Sequence, residues 1–174
     1  MRVAFSPRPG VLGCLLSIAV AGAGTASCSK PVDFKQALEV TDVSGGWYDY
    51  GIVDGKNKLV PTMSFRVRKK QPDVSIRSID INVHFKKIAG PERKDEVVLD
   101  EVFLQHVDFS EGTQTPLLTV RTEHGYTADP PQTRAQMLEH SLFQDVRTRV
   151  FAKQSPSTWV EMIQYDLPRV LITK

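Results

Sequence analysis

Four histidines, His84, His106, His124 and His140, are the side chains in this sequence that could ligate a metal or relay a proton. None stands close along the chain to another histidine or to a cysteine, whereas a structural zinc site wants such pairs two to five residues apart. His84 and His106 could meet across neighbouring strands, but His84 falls on the polar side of its segment and reads as a solvated histidine. Nucleophilic catalysis needs a Ser, Cys or Thr beside a base, and no G-x-S-x-G turn occurs. Two acid pairs, Asp95/Glu96 and Asp100/Glu101, are adjacent in the chain. Neighbours on a strand point to opposite faces, so these read as solvated charges and not as a glycosidase pair. Asp54-Gly55 marks a turn with too few glycines to cradle a phosphate. The expectation is a protein that is not an enzyme, with no catalytic residue, no metal site and no cofactor.

The stretch WYDYG, residues 47–51, carries different chemistry. Alternation along a strand sends Trp47 one way with Asp49, and Tyr48 and Tyr50 the other. Exposed aromatics mark binding surfaces, so Trp47, Tyr48 and Tyr50 form the candidate binding surface, unless a bulge or a covering layer buries them. Arg66, Arg68, Lys69 and Lys70 surround a turn. They could meet anionic head groups or an acidic partner, or simply keep a hairpin end wet.

The chain has 174 residues, 41% hydrophobic and 24% charged, the composition of one globular domain and not of a disordered chain. The formal charge of +2 comes from Arg2 and Arg8, both before Cys28; without them the 22 Lys and Arg and the 20 Asp and Glu balance. A nucleic-acid binder carries surplus cations to neutralise phosphates, so nucleic acid is set aside as a partner.

The opening MRVAFSPRPG is basic, and the apolar, small-residue run VLGCLLSIAVAGAG follows. That is the layout of a secretory leader. The run is short of the roughly 20 apolar residues of a permanent membrane helix, and no later segment approaches that length. Cys14 would leave with the leader, so Cys28 would stand alone in the mature chain, unable to form an internal disulfide. Thr25-Ala26-Ser27-Cys28 resembles the lipobox of bacterial lipoproteins, although that family prefers leucine where Thr25 stands. The resemblance implies a signal peptide over 1–27 and an acylated Cys28 as the new N-terminus. Each buried methylene of its acyl chains would contribute about 0.8 kcal/mol to membrane anchoring. Ser29 resembles the signal that sends such lipoproteins to the outer membrane, facing the periplasm. Cleavage elsewhere in the Ala/Gly run would instead give a secreted, soluble protein.

Residues 28–36 read as a tether and 37–174 as the domain. ALEVTDV is a first strand, broken by Gly45 and Gly46. In KLVPTMSFRVRKK, Met63, Phe65 and Val67 alternate with Ser64, Arg66 and Arg68. In SIRSIDINVHFKK, Ile79, Ile81, Val83 and Phe85 alternate with Asp80, Asn82, His84 and Lys86. Such period-two patterns indicate half-buried antiparallel strands, and KKQPD between them suggests a hairpin. VVLDEVFLQHVDF, PLLTVRT, FQDVRTRVFAK and TWVEMIQYDLPRVLI supply further strands, while TRAQMLEHSLF could make a short helix. The total is seven or eight strands with little helix, an all-β antiparallel sandwich of immunoglobulin-like type. Trp47 or Trp159 could fill its centre.

GIVDGKNKLVPTMSFRVRK, SIDINVHFKK, HGYT, RAQMLEHSLFQDVRTRVFAK and WVEM together resemble a group of uncharacterised bacterial lipoproteins. The segments around residues 60–85 also resemble fibronectin-type-III or FxLYD-like modules. The resemblance implies an immunoglobulin-like sandwich on a membrane anchor and brings no catalytic residues. The expected function is a lipid-anchored envelope protein that contacts a protein partner as an accessory module. The alternative is a sugar- or lipid-binding module using the aromatics at 47–50.

Overall fold

In the computed structural model, residues 33–89, 95–109 and 112–172 are described, all within the unit Pro31–Lys174. The expected leader and Cys28 lie outside the described residues. A short helix, α1 (Phe34–Ala37), opens the domain; the Asp33 carboxylate caps it, accepting from the amides of Lys35 at 3.0 Å and Gln36 at 3.4 Å. Nine strands follow among the described residues: β1 (Leu38–Val53), β2 (Lys56–Lys69), β3 (Ser78–Ala89), β4 (Asp95–Asp108), β5 (Leu118–Arg121), β6 (Tyr126–Ala128), β7 (Val146–Lys153), β8 (Val160–Asp166) and β9 (Leu171–Ile172). A second helix, α2 (Arg134–Glu139), lies between β6 and β7. The protein is mostly β, built as two sheets in the manner of a β-sandwich.

The first sheet runs β5-β2-β1-β9, with β6 also pairing β2; the second runs β4-β3-β7-β8. Every pairing is antiparallel except the two-residue match of β1 with β9, Trp47 to Leu171 and Tyr48 to Ile172, which is parallel. The count of nine exceeds the expected seven or eight because β6 and β9 are three and two residues long. Strands so short show no period.

Two further expectations are corrected. Gly45 and Gly46 do not end the first strand. They sit inside the 16-residue β1 as points of close packing: a Cβ on Gly45 would collide with Leu167, and one on Gly46 would lie 2.6 Å from the Val170 carbonyl. The strands around residues 60–85 do not form a hairpin. β2 belongs to one sheet and β3 to the other, and their apolar faces meet across the core. Alternation records that a strand buries one face; it does not distinguish pairing from stacking.

Between the sheets, Leu59, Met63, Phe65 and Val67 of β2 pack with Ile81, Val83 and Phe85 of β3 and Val150 of β7, all with no exposure. Each such side chain contributes roughly 1.5–3 kcal/mol by leaving water. The Thr148 hydroxyl on β7 lies 3.2 Å from Met63 Sδ, a polar contact between the sheets inside this core. α2 begins where the sequence writes a capping box: Thr133 accepts from the Gln136 amide, and the Gln136 side chain accepts from the Thr133 amide. Its Met137 and Leu138 are buried.

Candidate functional site

Two regions outside the regular core gather chemically capable side chains. The first surrounds Trp47. Trp47 points inward from β1 and is 2% exposed, with Pro61 of β2 and Leu171 of β9 as its strand neighbours. Phe143 meets its ring edge-on at 4.4 Å, and Tyr126 meets Phe143 the same way at 5.0 Å. The Tyr126 hydroxyl lies 3.1 Å from His140 Nδ1, which also accepts from the Leu142 amide at 3.2 Å.

Two arginines hold the chain around α2 against this cluster. Arg134 donates Nε to Asp49 at 3.0 Å and Nη1 to the Asn57 amide oxygen at 2.6 Å; Asn57 in turn donates to the Gln132 carbonyl at 2.7 Å. Arg169 lies over the Phe143 ring at 5.1 Å and donates to Asp145 at 2.7 Å and to the Leu138 carbonyl at 3.1 Å. Beside Trp47 lies a cavity of about 40 Å³, lined also by Lys87, Leu99, Tyr126, Leu142 and Gln144. Gly125 closes one wall: a Cβ there would run into the Leu59 carbonyl, so only glycine lets this loop approach β2 so closely.

The second region is the outer face of the second sheet. The register sets its side chains in rows: Phe103, Asn82, Phe151 and Glu161; then Glu101, His84, Arg149 and Gln164; then Val98, Lys86, Arg147 and Asp166. Glu96 sits at the centre of the charges, with Lys86 Nζ at 3.3 Å, Arg147 Nη1 at 3.1 Å and Arg149 Nη2 at 2.7 Å. Arg147 also grips Asp166 with two bonds, at 2.6 and 3.1 Å. The Arg149 hydrogen bond, with those from Arg147 and Lys86, holds the Glu96 carboxyl below the usual carboxylate range against the opposing effect of burial. Bonding to Asp166 pushes the Arg147 guanidinium up.

One end of this face is apolar. Phe103, 46% exposed, meets Trp159, 37% exposed, edge-on at 5.6 Å, and the Lys153 ammonium lies 4.7 Å over the Trp159 ring. Phe103 belongs to β4, whose one hydrogen-bonded neighbour among the described strands is β3. Two register shifts divide the β4 ladder, and the longest regular stretch between them, Asp100–Leu104, contains Phe103.

The three aromatics expected to form one binding surface are divided. Trp47 faces the interior, whereas Tyr48 lies under the Arg121 guanidinium at 3.3 Å and Tyr50 beside the Lys58 ammonium at 4.8 Å. Trp159 does not fill the centre; Trp47 packs there and Trp159 is at the surface.

The histidines go to four different places. His84 rests on the Phe151 ring at 4.6 Å, His106 occupies a positive-φ position (52°), His124 meets Asp100 at 3.2 Å, and His140 meets Tyr126. Among the described residues no three His, Cys, Asp or Glu side chains group as metal ligands would. Asp100 and Glu101 point to opposite sides. Asp100 accepts from the amides of Glu123 and His124, whereas Glu101 faces His84 at 3.8 Å. Burial pushes the Asp100 carboxyl up, but the Glu123 amide and His124 outweigh it and leave it lowered.

The basic group around residues 66–70 is engaged within the domain. Arg66 pairs with Asp42 at 3.2 Å, Arg68 with Glu39 at 2.7 Å, Lys70 donates to the Lys35 carbonyl at 2.6 Å, and Lys69 lies over Phe109. Sequence reasoning missed Phe103, Lys87 and Tyr126 as site residues. A register shift beside Leu99 hides which side chains of β4 face outward, and Lys87 takes the inner side of β3 although it is charged.

No protein-family model matches the chain, and no curated protein matches it. Among the described residues no helix is long and apolar enough to cross a membrane.

Proposed function

We propose that this chain is a non-enzymatic lipoprotein of the bacterial cell envelope. Cys28 carries the lipid, the leader over 1–27 is removed, and the residues between Cys28 and α1 tether an immunoglobulin-like sandwich to the outer membrane, facing the periplasm. The domain acts by contact with a protein partner. The two facing sheets support the sandwich reading. The docking reading rests on one observation: Phe103 and Trp159 pack against each other while remaining 46% and 37% exposed. Aromatic pairs of this kind dominate the energetics of interfaces. The occupant is an extended segment of the partner. It adds to the regular edge at Asp100–Leu104 through main-chain bonds and sets apolar side chains against Phe103 and Trp159.

In-cell crosslinking of the full chain tests this reading. The wild type captures an envelope protein, and Phe103→Ala/Trp159→Ala loses that capture while the protein stays at the membrane. Equal capture by the double variant overturns the docking reading. Metabolic labelling with a fatty-acid analogue tests the anchor: Cys28→Ser loses the label, and a wild type without label overturns the lipoprotein reading.

A further inference from the structure

The Trp47 indole N–H is buried and has no acceptor among the described residues. Buried donors are paired in native proteins, and leaving one unpaired costs about 1–3 kcal/mol. The polar side chains that hold this cluster are engaged elsewhere: Tyr126 with His140, Arg134 with Asp49 and Asn57, Arg169 with Asp145. No described residue serves Trp47 as acceptor, and the space beside Trp47 is the 40 Å³ cavity it lines.

The walls define what fits. Lys87 lines the same cavity from the inner side of β3, paired with Val146 of β7, and no ion pair engages it among the described residues. Leu99, Val146 and the Tyr126 ring supply apolar wall, and none of the described lining residues is acidic. An indole N–H and an ammonium are both donors, so the ligand must accept twice, and the ammonium favours a negative charge. The volume admits a group of only a few atoms, well below the roughly 300 Å³ of a pocket that encloses a drug-sized ligand. Leu142 and Gln144, both exposed, form the mouth, so an alkyl tail can leave toward solvent.

We propose that this cavity binds the carboxylate of a short aliphatic acid. One carboxylate oxygen takes the Trp47 N–H, the charge is met by Lys87, and the first carbons rest on Leu99 and Val146. The proposal is independent of partner docking, because its site lies between the sheets and its readout needs no second protein.

The test uses the full chain in non-ionic detergent with its two tryptophans labelled with ¹⁵N in the indole ring, Trp159→Phe assigning the signals. Sodium acetate, propionate and butyrate are titrated against sodium chloride at matched ionic strength. A ligand of so few atoms binds at about 1 mM. The expected result is a saturable shift of the Trp47 indole signal with the carboxylates alone, while the Trp159 signal stays in place. Lys87→Met weakens binding about tenfold, equivalent to about 1.4 kcal/mol. Leu142→Trp, a change at a 74%-exposed position that leaves the core untouched, closes the mouth and abolishes the shift. The proposal is overturned if the Trp47 signal does not move, if chloride moves it equally, or if both variants respond as the wild type does.

Discussion

The cluster around Trp47 and the outer face of the second sheet are both rich in aromatics and arginine, yet they use them in opposite ways. At Trp47 the rings are stacked out of water, and the arginines spend their donors on main-chain carbonyls and single carboxylates to hold α2 and its flanks in place. On the outer face the arginines and Lys86 converge on Glu96, while Phe103 and Trp159 remain at the surface. The same residue types therefore serve closure in one place and presentation in the other. Exposure, not identity, separates a ring that holds the fold from a ring that can dock a partner.

The sharpest way to break the comparison is Phe143→Ala. This ring touches Trp47, Tyr126 and the Arg169 guanidinium together, so its loss leaves a cavity and frees three neighbours. The expected cost is about 3–5 kcal/mol, read as a lower denaturant midpoint. A cost under about 1 kcal/mol, the scale of a surface change, would place this cluster with the outer face.

Glu96→Gln should come next, at about 2 kcal/mol, because it removes one negative charge shared by three cations while Arg147 keeps Asp166 and Arg149 keeps Glu161. Its pH signature is more specific. The folded Glu96 carboxyl lies below its ordinary value of 4.5, so its contribution is fully present above that value and is lost as pH falls through the lower, folded one. Wild-type stability should fall on acidification below pH 4.5, and the Glu96→Gln variant should fall less steeply over the same window. Parallel acid limbs would show that the network adds nothing to folding.

The sequence made the two long inward-facing strands readable, because Met63, Phe65 and Val67, and Ile79 through Phe85, alternate without interruption. It made their partners unreadable, since a buried face is the same whether the next strand lies beside it or across the core. It also exposed the aromatic richness of residues 47–50 and the opposite directions of Trp47 and Tyr48, but not their separate fates. Trp47 is covered by Phe143 and Tyr126, roughly 80 to 100 residues later in the chain, and only tertiary structure brings them together. Register shifts are likewise invisible in a list of residues, and one of them decides that Phe103 belongs to the outer surface.

A smaller effect separates the two uses of arginine. Arg134→Met keeps the length of the side chain but leaves the Asn57 amide oxygen, in a 5%-exposed residue, without the Arg134 donor. The expected cost is about 1–2 kcal/mol, with hydrogen exchange rising first in α2 and the residues flanking it. Unchanged protection there would mean that Met137 and Leu138 alone seat the helix.

The smallest stability effect belongs to the surface that should matter most for binding. Trp159→Ala removes one edge-on ring contact and one cation over the ring, a loss of about 1 kcal/mol. Capture of the partner should nonetheless fall strongly, because interface energy concentrates in a few aromatic side chains. Tyr50 and Ile52 provide the control: they are also exposed, at 51% and 66%, but stand at the far end of β1 on the first sheet. Tyr50→Ala/Ile52→Ala should leave capture intact. If that pair loses the partner and Trp159→Ala keeps it, the docking face is the first sheet, and the contrast between a closing region and a presenting one must be redrawn around Tyr48 and Tyr50.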